Sequence, residues 1–328
     1  VQLALKKILE AIYEPRFLNC MYGFRPNRGC HDAIKELYKR LNNTKICYIV
    51  DADIKGFFDH MKHEWIIKFL NLHIKDPNII SLVKKYLKVG VLDEGVLMMN
   101  EEGSAQGNII SPILANIYMH NVLTLWYKFI ITKECKGDNF LIVYADDFVA
   151  GFQYKWEAEN YYKLLKERME KFGLQLEESK SRLLQSGAYI ARAKQKSGES
   201  TRLETFDFLG FTFYCGCSRK GMPYIMPKTS SKKFRQKIRD IKVWLYANRD
   251  QSLKKLMGML NLKIVGHYRY YGISFNGRMI SNYKQQVREL LFKVLNRRSD
   301  RKSYTREGFI EMLKYYPLAL PKIYVSLF

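Results

Sequence analysis

Two short apolar runs in the first half of the chain are rich in β-branched and aromatic residues, which is the pattern of buried strands. One covers residues 45–50 and leads to Asp53, and the other covers residues 140–144 and leads to Asp146 and Asp147. A further apolar run follows directly, so the second strand is predicted to turn back as a tight hairpin. The pattern therefore predicts a sheet in which carboxylates follow the ends of two strands.

Helical spacing of apolar residues dominates the rest of the chain. One more strand is predicted at 91–99, and aromatic-rich strands are predicted at 206–213. Residues 266–271 are predicted to join the last two helices of a small basic bundle. This order predicts an α+β fold, with antiparallel strands backed by helices and a helical region after them. The predicted helices cover residues 1–18, 31–41, 63–72, 79–86, 103–122, 157–172, 234–245, 252–262 and 279–296.

The charge of the chain is strongly basic and unevenly distributed. Its 55 Lys+Arg residues against 32 Asp+Glu residues give a formal net charge of +23. Residues 216–328 carry a net charge of +19, and residues 1–215 carry only +4. So lopsided a distribution favours a polyanionic partner, nucleic acid above all, over a surface that is basic only for solubility.

Length and composition exclude several classes of protein. At 328 residues with 47% apolar content, the chain is long enough for two or three domains with real cores, which argues against disorder. The sequence has no apolar run of about eighteen residues, so no membrane partner is expected. The six cysteines are scattered, and the Cys215–Cys217 spacing falls short of a zinc site. Reduced cysteines and a cytoplasmic location are therefore expected.

Adjacent carboxylates such as Asp146 and Asp147 repel each other, and apolar strands around them disfavour their charged forms. Mg²⁺ relieves that cost, because it is held by one or two carboxylates together with substrate phosphates. A solvated Asp-Asp turn is the simpler alternative. The second acidic strand end, at Asp53, favours a site for two metal ions. Asp51 would face the same side of a regular strand as Asp53.

Four stretches of the chain resemble motifs of one protein family. Their order and spacing resemble those of the reverse transcriptases of group II introns, the intron-encoded maturases. The resemblance covers nearly the whole chain and implies a right-hand polymerase palm followed by an α-helical thumb. The stretches are YGFRPNRG at 22–29, DIKGFFD at 53–59, GSAQGNIISP at 103–112 and YADD at 144–147. The implied domains are partial fingers at 1–44, a palm at 45–215, a thumb or maturase domain at 228–300 and a tail at 301–328.

The resemblance implies an active site that uses two Mg²⁺ ions. These ions would be held at Asp53, Ile54, Asp146 and Asp147. Lys180 would donate a proton to the leaving pyrophosphate. The alternative for Lys180 is an exposed lysine with no catalytic role, because a general acid is judged first by its geometry.

A pair of phenylalanines is implied to contact the sugar of the incoming nucleotide. Phe58, or failing that Phe57, would lie under the sugar, and its ring would clash with a 2′-hydroxyl group. That clash would select deoxyribose. A role in the core alone is the alternative for one of the two rings.

The glycine-rich stretch before residue 108 is implied to contact the base pair. Gly107 would let the backbone approach it closely, and Gln106 would form hydrogen bonds with it. The sequence departs from the family pattern at Ala105, where proline is usual, and at Asn108, where glycine is usual. The remaining nucleotide-binding residues that the resemblance implies are Tyr144 and Ala145.

Basic and aromatic residues are predicted to bind nucleic acid. The resemblance places Arg25 and Arg28 beside the template, whereas a solvated loop is the alternative. Alternating basic and aromatic residues suit contacts with phosphates and stacking on bases, although a corner of the core is the alternative for the tyrosines. In the basic C-terminal third, the candidates are Lys232, Lys233, Arg235, Lys237, Tyr268, Arg269 and Tyr270.

The function that the resemblance implies is RNA-directed DNA synthesis in the bacterial cytoplasm. The implied partners are an RNA template, intron RNA, a DNA or RNA primer and dNTPs, and a homodimer stays open. Two alternatives stay open as well: an RNA-binding cofactor that acts in splicing alone, and a related enzyme recruited to CRISPR or antiviral defence. The family has a basic fingers segment before the first helix, so the chain is expected to be a fragment that polymerises poorly.

Overall fold

The computed structural model describes residues 1–88, 91–93, 96–98, 108–298 and 303–328. The chain divides into two compact units. Unit 1 comprises Val1–Leu209 with Cys215–Ile225, and unit 2 comprises Gly210–Tyr214 with Met226–Phe328. The finer boundaries at 44/45 and 300/301 stay predictions. Among the helices described, none is both long and apolar enough to cross a membrane.

The central sheet of unit 1 is antiparallel and has the strand order β4-β5-β1-β6. The predicted hairpin is present as β4 and β5, and β5 lies beside β1. Strands β2 and β3 form a separate hairpin, and β7, β8 and β9 form a three-stranded sheet. The strands are β1 (Tyr48–Ala52), β2 (Val91–Asp93), β3 (Val96–Met98), β4 (Asn139–Tyr144), β5 (Asp147–Phe152), β6 (Arg182–Gln185), β7 (Phe206–Phe208), β8 (Phe211–Cys217) and β9 (Pro223–Thr229).

The helices surround this sheet in unit 1 and form a bundle in unit 2. Two π-helical segments, His120–Thr124 and Tyr127–Ile131, continue α6. The α+β class and the antiparallel sheet are confirmed. The helices are α1 (Gln2–Tyr13), α2 (Cys30–Asn43), α3 (Phe57–His60), α4 (His63–Asn71), α5 (Pro77–Lys88), α6 (Ser111–Met119), α7 (Thr132–Glu134), α8 (Lys155–Lys171), α9 (Ala188–Lys196), α10 (Ser231–Ala247), α11 (Leu253–Tyr271), α12 (Gly277–Leu295) and α13 (Arg306–Tyr315).

Two stretches have a different secondary structure from the one predicted. The strand predicted at 91–99 is a hairpin, in which Val91 pairs with Met98. Residues 266–271 are the last turns of α11 and not a connection between helices. Glycine in a helix interior costs only about 1 kcal/mol relative to alanine, so the surrounding apolar residues carry the helix through Gly266.

Buried aromatic side chains fix how the helices of unit 1 pack on its sheet. Helix α8 packs against β1 and β5, and α4 packs against α6. Phe148 and Phe152 of β5 are fully buried, as are Tyr161 of α8 and Tyr118 of α6. A side chain of this size contributes about 1.5–3 kcal/mol on burial, so these four side chains stabilise the packing of unit 1.

Unit 2 is held together by apolar helix faces and a few buried polar contacts. Helix α12 packs against α10 and α11. Asn276, which is fully buried, accepts a hydrogen bond from the Thr229 N–H at 2.9 Å and donates one to the Tyr271 carbonyl at 2.7 Å. The C-terminal segment joins the bundle through a parallel bridge between Ile273 and Val325.

Candidate active site

Strand pairing brings the predicted carboxylates together at one end of the inner strands of the central sheet. Ala52 is the last residue of β1, and it pairs with Phe148 of β5. One residue beyond this pair, Asp53 continues one strand and Asp147 begins the other. The two acidic strand ends that the sequence predicted are therefore neighbours because β5 lies between β4 and β1.

A two-residue turn carries the second pair of aspartates. Tyr144 pairs with Asp147, so that Ala145 and Asp146 form the turn. Ala145 has a φ of 59°, in the left-handed region that residues with a side chain seldom adopt. Such a conformation persists only where the surroundings hold it in place, and it is typical of functional sites.

Burial and mutual repulsion raise the pKa values of Asp51, Asp146 and Asp147. Burial raises the pKa of Asp147 to about 7; a hydrogen bond from the Leu209 N–H opposes the shift, and the charges of Asp51, Asp146 and Asp53 add to it. Burial is also the first cause that raises the pKa of Asp146. It raises the pKa of Asp51 to about 6, against the nearby Arg182. The site therefore disfavours several negative charges together.

Basic side chains from the segment around β6 face the acidic residues of β1. Lys180 Nζ lies 2.7 Å from Asp53 Oδ2, and Arg182 Nε lies 3.7 Å from Asp51 Oδ2. The Asp53 N–H donates a hydrogen bond to Ser181 Oγ at 3.3 Å. The segment that holds Lys180 is thus positioned directly against the end of β1.

The donor atoms suit Mg²⁺, which prefers carboxylate and carbonyl oxygens. Asp53, Asp146 and Asp147 would supply carboxylates, and their mutual repulsion is what a cation would relieve. Ile54 could offer only its main-chain carbonyl, because its side chain is apolar and buried. The donor types thus suit Mg²⁺, although within the described parts of the chain no group of three or more His, Cys, Asp or Glu side chains is arranged to hold a metal ion.

The two phenylalanines after Asp53 lie in different environments. Phe57 is 2% exposed and packs edge-on against Tyr118, at 6.2 Å between ring centroids. Phe58 is partly buried and packs against the outside of the same core. Of the two, Phe58 is therefore the ring that a nucleotide could reach, and its role as a sugar gate stays a prediction.

Of the other predicted nucleotide-binding residues, the structure describes only Tyr144 and Ala145. Gln106, Gly107 and the Ala105 departure lie outside the described residues. Tyr144 is half-buried, and its ring lies 6.5 Å from that of Phe24. Ala145 is buried in the turn.

The structure places Arg25 in the interior of unit 1. Its side chain is 4% exposed; the guanidinium group lies 2.7 Å from Glu14 Oε1 and donates hydrogen bonds to the Leu18 and Met21 carbonyls. Arg28 is half-buried and donates to the Asn19 side chain at 2.8 Å. The burial of Arg25 supports a structural role and gives no support to nucleic-acid binding.

The predicted nucleic-acid surface of unit 2 is exposed along α10. Lys232, Lys233, Arg235 and Lys237 are all exposed on this helix. Arg269 is exposed on α11, whereas Tyr268 is fully buried, and its hydroxyl donates to the Ala319 carbonyl. Tyr270 is half-buried and stacks on Phe211. The tyrosines are thus divided, with Tyr268 in the core.

Several residues at the site were not singled out by sequence reasoning. Ser181 and the Leu209 N–H bind main-chain or carboxylate atoms of the aspartates, and neither carries a local sequence signal. Gly23 lies against the turn, and Asn116 donates a hydrogen bond to the Gly23 carbonyl; both contacts follow only from the tertiary fold.

Comparisons with known proteins agree with this geometry. Residues 1–213 match the family described as "Reverse transcriptase (RNA-dependent DNA polymerase)", which is the class that the palm and its aspartates define. Residues 231–310 match the "Group II intron, maturase-specific domain". The chain therefore belongs to the reverse transcriptase family, and within it to the group II intron reverse transcriptases and maturases.

Two curated relatives illustrate the similarity. The group II intron-encoded protein LtrA of Lactococcus lactis subsp. cremoris is 40% identical over 138 residues, which are 42% of this chain and 22% of LtrA. An uncharacterized 91 kDa protein in a cob intron of Schizosaccharomyces pombe is 43% identical over 123 residues, which are 37% of this chain and 15% of that protein. The matched regions thus span less than a quarter of either relative.

A comparison of structures finds telomerases. The structure of telomerase from Candida tropicalis in complex with a fragment of telomeric RNA aligns with a TM-score of 0.48 and 13% sequence identity. The alignment covers 97% of this chain and 56% of that chain.

Proposed function

We propose that this chain is an RNA-directed DNA polymerase that uses two Mg²⁺ ions. The observation that carries the proposal is the convergence of Asp53 with Asp146 and Asp147 at paired strand ends. Its substrates would be dNTPs, an RNA template and a DNA or RNA primer. Bound Mg²⁺ would activate the attacking oxygen and stabilise the charge on the leaving group.

Residues of the chain would donate a proton and contact the substrates. In the reaction, the primer 3′-hydroxyl group loses its proton to solvent, its oxygen bonds to the α-phosphorus of the dNTP, and the bond between that phosphorus and pyrophosphate breaks. Lys180 would give its proton to the pyrophosphate and recover one from solvent. Phe58 would lie under the sugar, and the exposed cations of α10 would contact nucleic-acid phosphates.

The test is primer extension on an RNA template with Asp147→Asn. This substitution keeps the shape of the side chain but removes a metal-binding charge, so incorporation should fall by at least about a hundredfold while RNA affinity stays unchanged. The matched control is Asp250→Asn, because the Asp250 side chain is 86% exposed in unit 2. Incorporation by Asp147→Asn at the rate of the control would contradict the proposal.

A second activity, binding of group II intron RNA to assist splicing, is supported by the maturase-specific match and the basic helix α10. This activity needs the cations of α10 and not the aspartates. Asp147→Asn should therefore retain splicing assistance, whereas neutral replacements along α10 should lose it. Intron RNA that co-purifies with the protein would identify the partner. Loss of splicing on both substitutions would show that the two activities share one site.

A further inference from the structure

Residues 20–25, called here the brace, run alongside the strand that leads into the catalytic turn. The Tyr22 N–H donates to the Val143 carbonyl, and the Val143 N–H donates to the Cys20 carbonyl, both at 2.8 Å. Met21 and Val143 accordingly form a parallel bridge. The brace is thus attached to β4 two residues before the turn at Ala145 and Asp146.

Gly23 of the brace lies directly against the backbone of the turn. A Cβ atom at this position would lie 2.4 Å from the Ala145 nitrogen and 3.0 Å from the Tyr144 carbonyl carbon. Gly23 is not among the residues with positive φ, so its conformation is open to alanine. Glycine is therefore needed at residue 23 because the backbone of the turn occupies the position that a Cβ atom would take.

Two buried polar side chains hold the brace in this position. Asn116 of α6 is 1% exposed, and its Nδ2 donates a hydrogen bond to the Gly23 carbonyl at 2.8 Å. At the other end, the guanidinium of Arg25 binds Glu14 and the main-chain carbonyls of Leu18 and Met21. The brace is therefore held by α6 through Asn116 and by Glu14, the residue that follows α1, and Gly23 lies against the turn.

We infer that Gly23, Asn116 and Arg25 are positioning residues that hold Ala145 in its left-handed conformation and so set where Asp146 and Asp147 stand. The strained φ of Ala145 needs such support from its surroundings. The inference rests on the proposed polymerase function, because it assigns to the brace the alignment of that same site. It also gives Arg25 a role in place of direct nucleic-acid binding.

The first experiment compares Gly23→Ala with Gly29→Ala in steady-state incorporation by the full chain. Gly29 lies in the same loop with a φ of −135°, and a Cβ there would meet only Asp32 Oδ2, at 3.7 Å. A misplacement of about 1 Å near the reacting groups can lower a rate a hundredfold, so kcat of Gly23→Ala should fall roughly that far. The KM for dNTP and the Kd for RNA should stay within about twofold of the wild type, because other groups bind these substrates.

The second experiment reports on the turn without needing activity. The Ala145 methyl resonance is followed in alanine-methyl-labelled protein carrying Asn116→Ser or Asn121→Ser. Asn121 is a half-buried asparagine of the next helical segment that donates to the Ile117 carbonyl, and it serves as the matched control. Asn116→Ser should move the Ala145 resonance although residue 116 reaches the turn only through Gly23, whereas Asn121→Ser should leave it unchanged.

The two experiments separate failure of this inference from failure of the proposed function. If the wild type is inactive but its Ala145 resonance responds to Asn116→Ser, polymerase activity is contradicted and the inference about the brace is supported. An active enzyme whose kcat is the same in Gly23→Ala and Gly29→Ala would overturn the inference. So would an Ala145 resonance that ignores Asn116→Ser in a protein whose thermal unfolding shows it to be folded.

Discussion

The ammonium group of Lys180 lies 2.7 Å from Asp53 Oδ2, so a predicted proton donor contacts a predicted metal ligand directly. The hydrogen bond to Asp53 and then its charge raise the pKa of Lys180. A lysine held in this way keeps its proton and supplies the positive charge beside Asp53. To protonate pyrophosphate, Lys180 would have to leave Asp53, so the two residues would separate when the site is loaded.

We expect Lys180→Met to lower kcat without lowering stability appreciably. Loss of a general acid lowers rates by about 10²–10⁴-fold. The ion pair itself is exposed, and such pairs contribute about 1 kcal/mol or less. The measurements are single-turnover incorporation and the melting temperature. Lys166→Met is the control, because Lys166 forms a comparable exposed pair with Glu178 at 2.9 Å; an equal effect of both substitutions on kcat would remove the role of Lys180.

Phe58→Val should admit ribonucleotides, because a smaller side chain leaves room for a 2′-hydroxyl group. The measurement is the ratio of kcat/KM for a dNTP to that for the matching rNTP, which should fall. Phe57→Val should instead destabilise the fold, since Phe57 is buried and truncation of a buried phenylalanine costs up to about 3–5 kcal/mol. An unchanged ratio in Phe58→Val would show that Phe58 does not exclude the 2′-hydroxyl group.

RNA binding should depend steeply on salt through the cations of α10. Each lost phosphate contact lowers the slope of log affinity against log salt by about 0.7–0.9. Replacement of Lys232, Lys233, Arg235 and Lys237 by glutamine should therefore flatten the slope by up to about 3. Swaps between lysine and arginine at the same four positions keep the charge and should keep the slope. A slope that ignores the glutamine replacements would place the RNA contact outside α10.

Stability should fall in mild acid because of His267. This residue is 7% exposed and stacks on Tyr283 with ring centroids 3.6 Å apart, and its ring nitrogens have no hydrogen-bond partner among the described residues. Burial, followed by the charge of Lys237, lowers the pKa of His267 to about 3. The unfolded chain takes up the proton near pH 6.5 and the folded one only near pH 3, so stability is lost as the pH falls through this window.

The expected loss from His267 is about 2 kcal/mol between pH 7 and pH 5. Urea unfolding at both pH values measures it in the wild type and in His267→Phe, which keeps a stacking ring but has no group to protonate. The variant should lose less stability than the wild type over this interval. Equal losses would show that other groups cause the acid sensitivity.

The placement of the candidate carboxylates at two strand ends was determined by the sequence alone. Apolar runs that end in Asp53 and in Asp146 and Asp147 predicted both strand ends and the hairpin, because strand propensity and turn formation depend on neighbouring residues. Charge distribution predicted a basic helical region, since surface charge is a property of composition. These features depend on neighbouring residues or on composition, and so they can be predicted without knowledge of the tertiary structure.

Other features were decided by tertiary structure. Arg25 belongs to a loop whose sequence is typical of an exposed turn, yet Glu14 and two carbonyls surround its guanidinium. Residues 266–271 form the end of a helix, because packing of Tyr268 and Tyr271 in the bundle outweighs the cost of Gly266. Burial and long-range contact set these outcomes, and neither can be read from neighbours in the sequence.

The turn at Ala145 and Asp146 depends on both kinds of information. Tyr144 to Asp147 is recognisable as a hairpin turn from its own residues. The left-handed Ala145 within it depends on Gly23, more than a hundred residues earlier in the chain, and on Asn116 in a separate helix. A conformation that local energetics disfavour has to be held by distant contacts, and only the folded chain brings those contacts together.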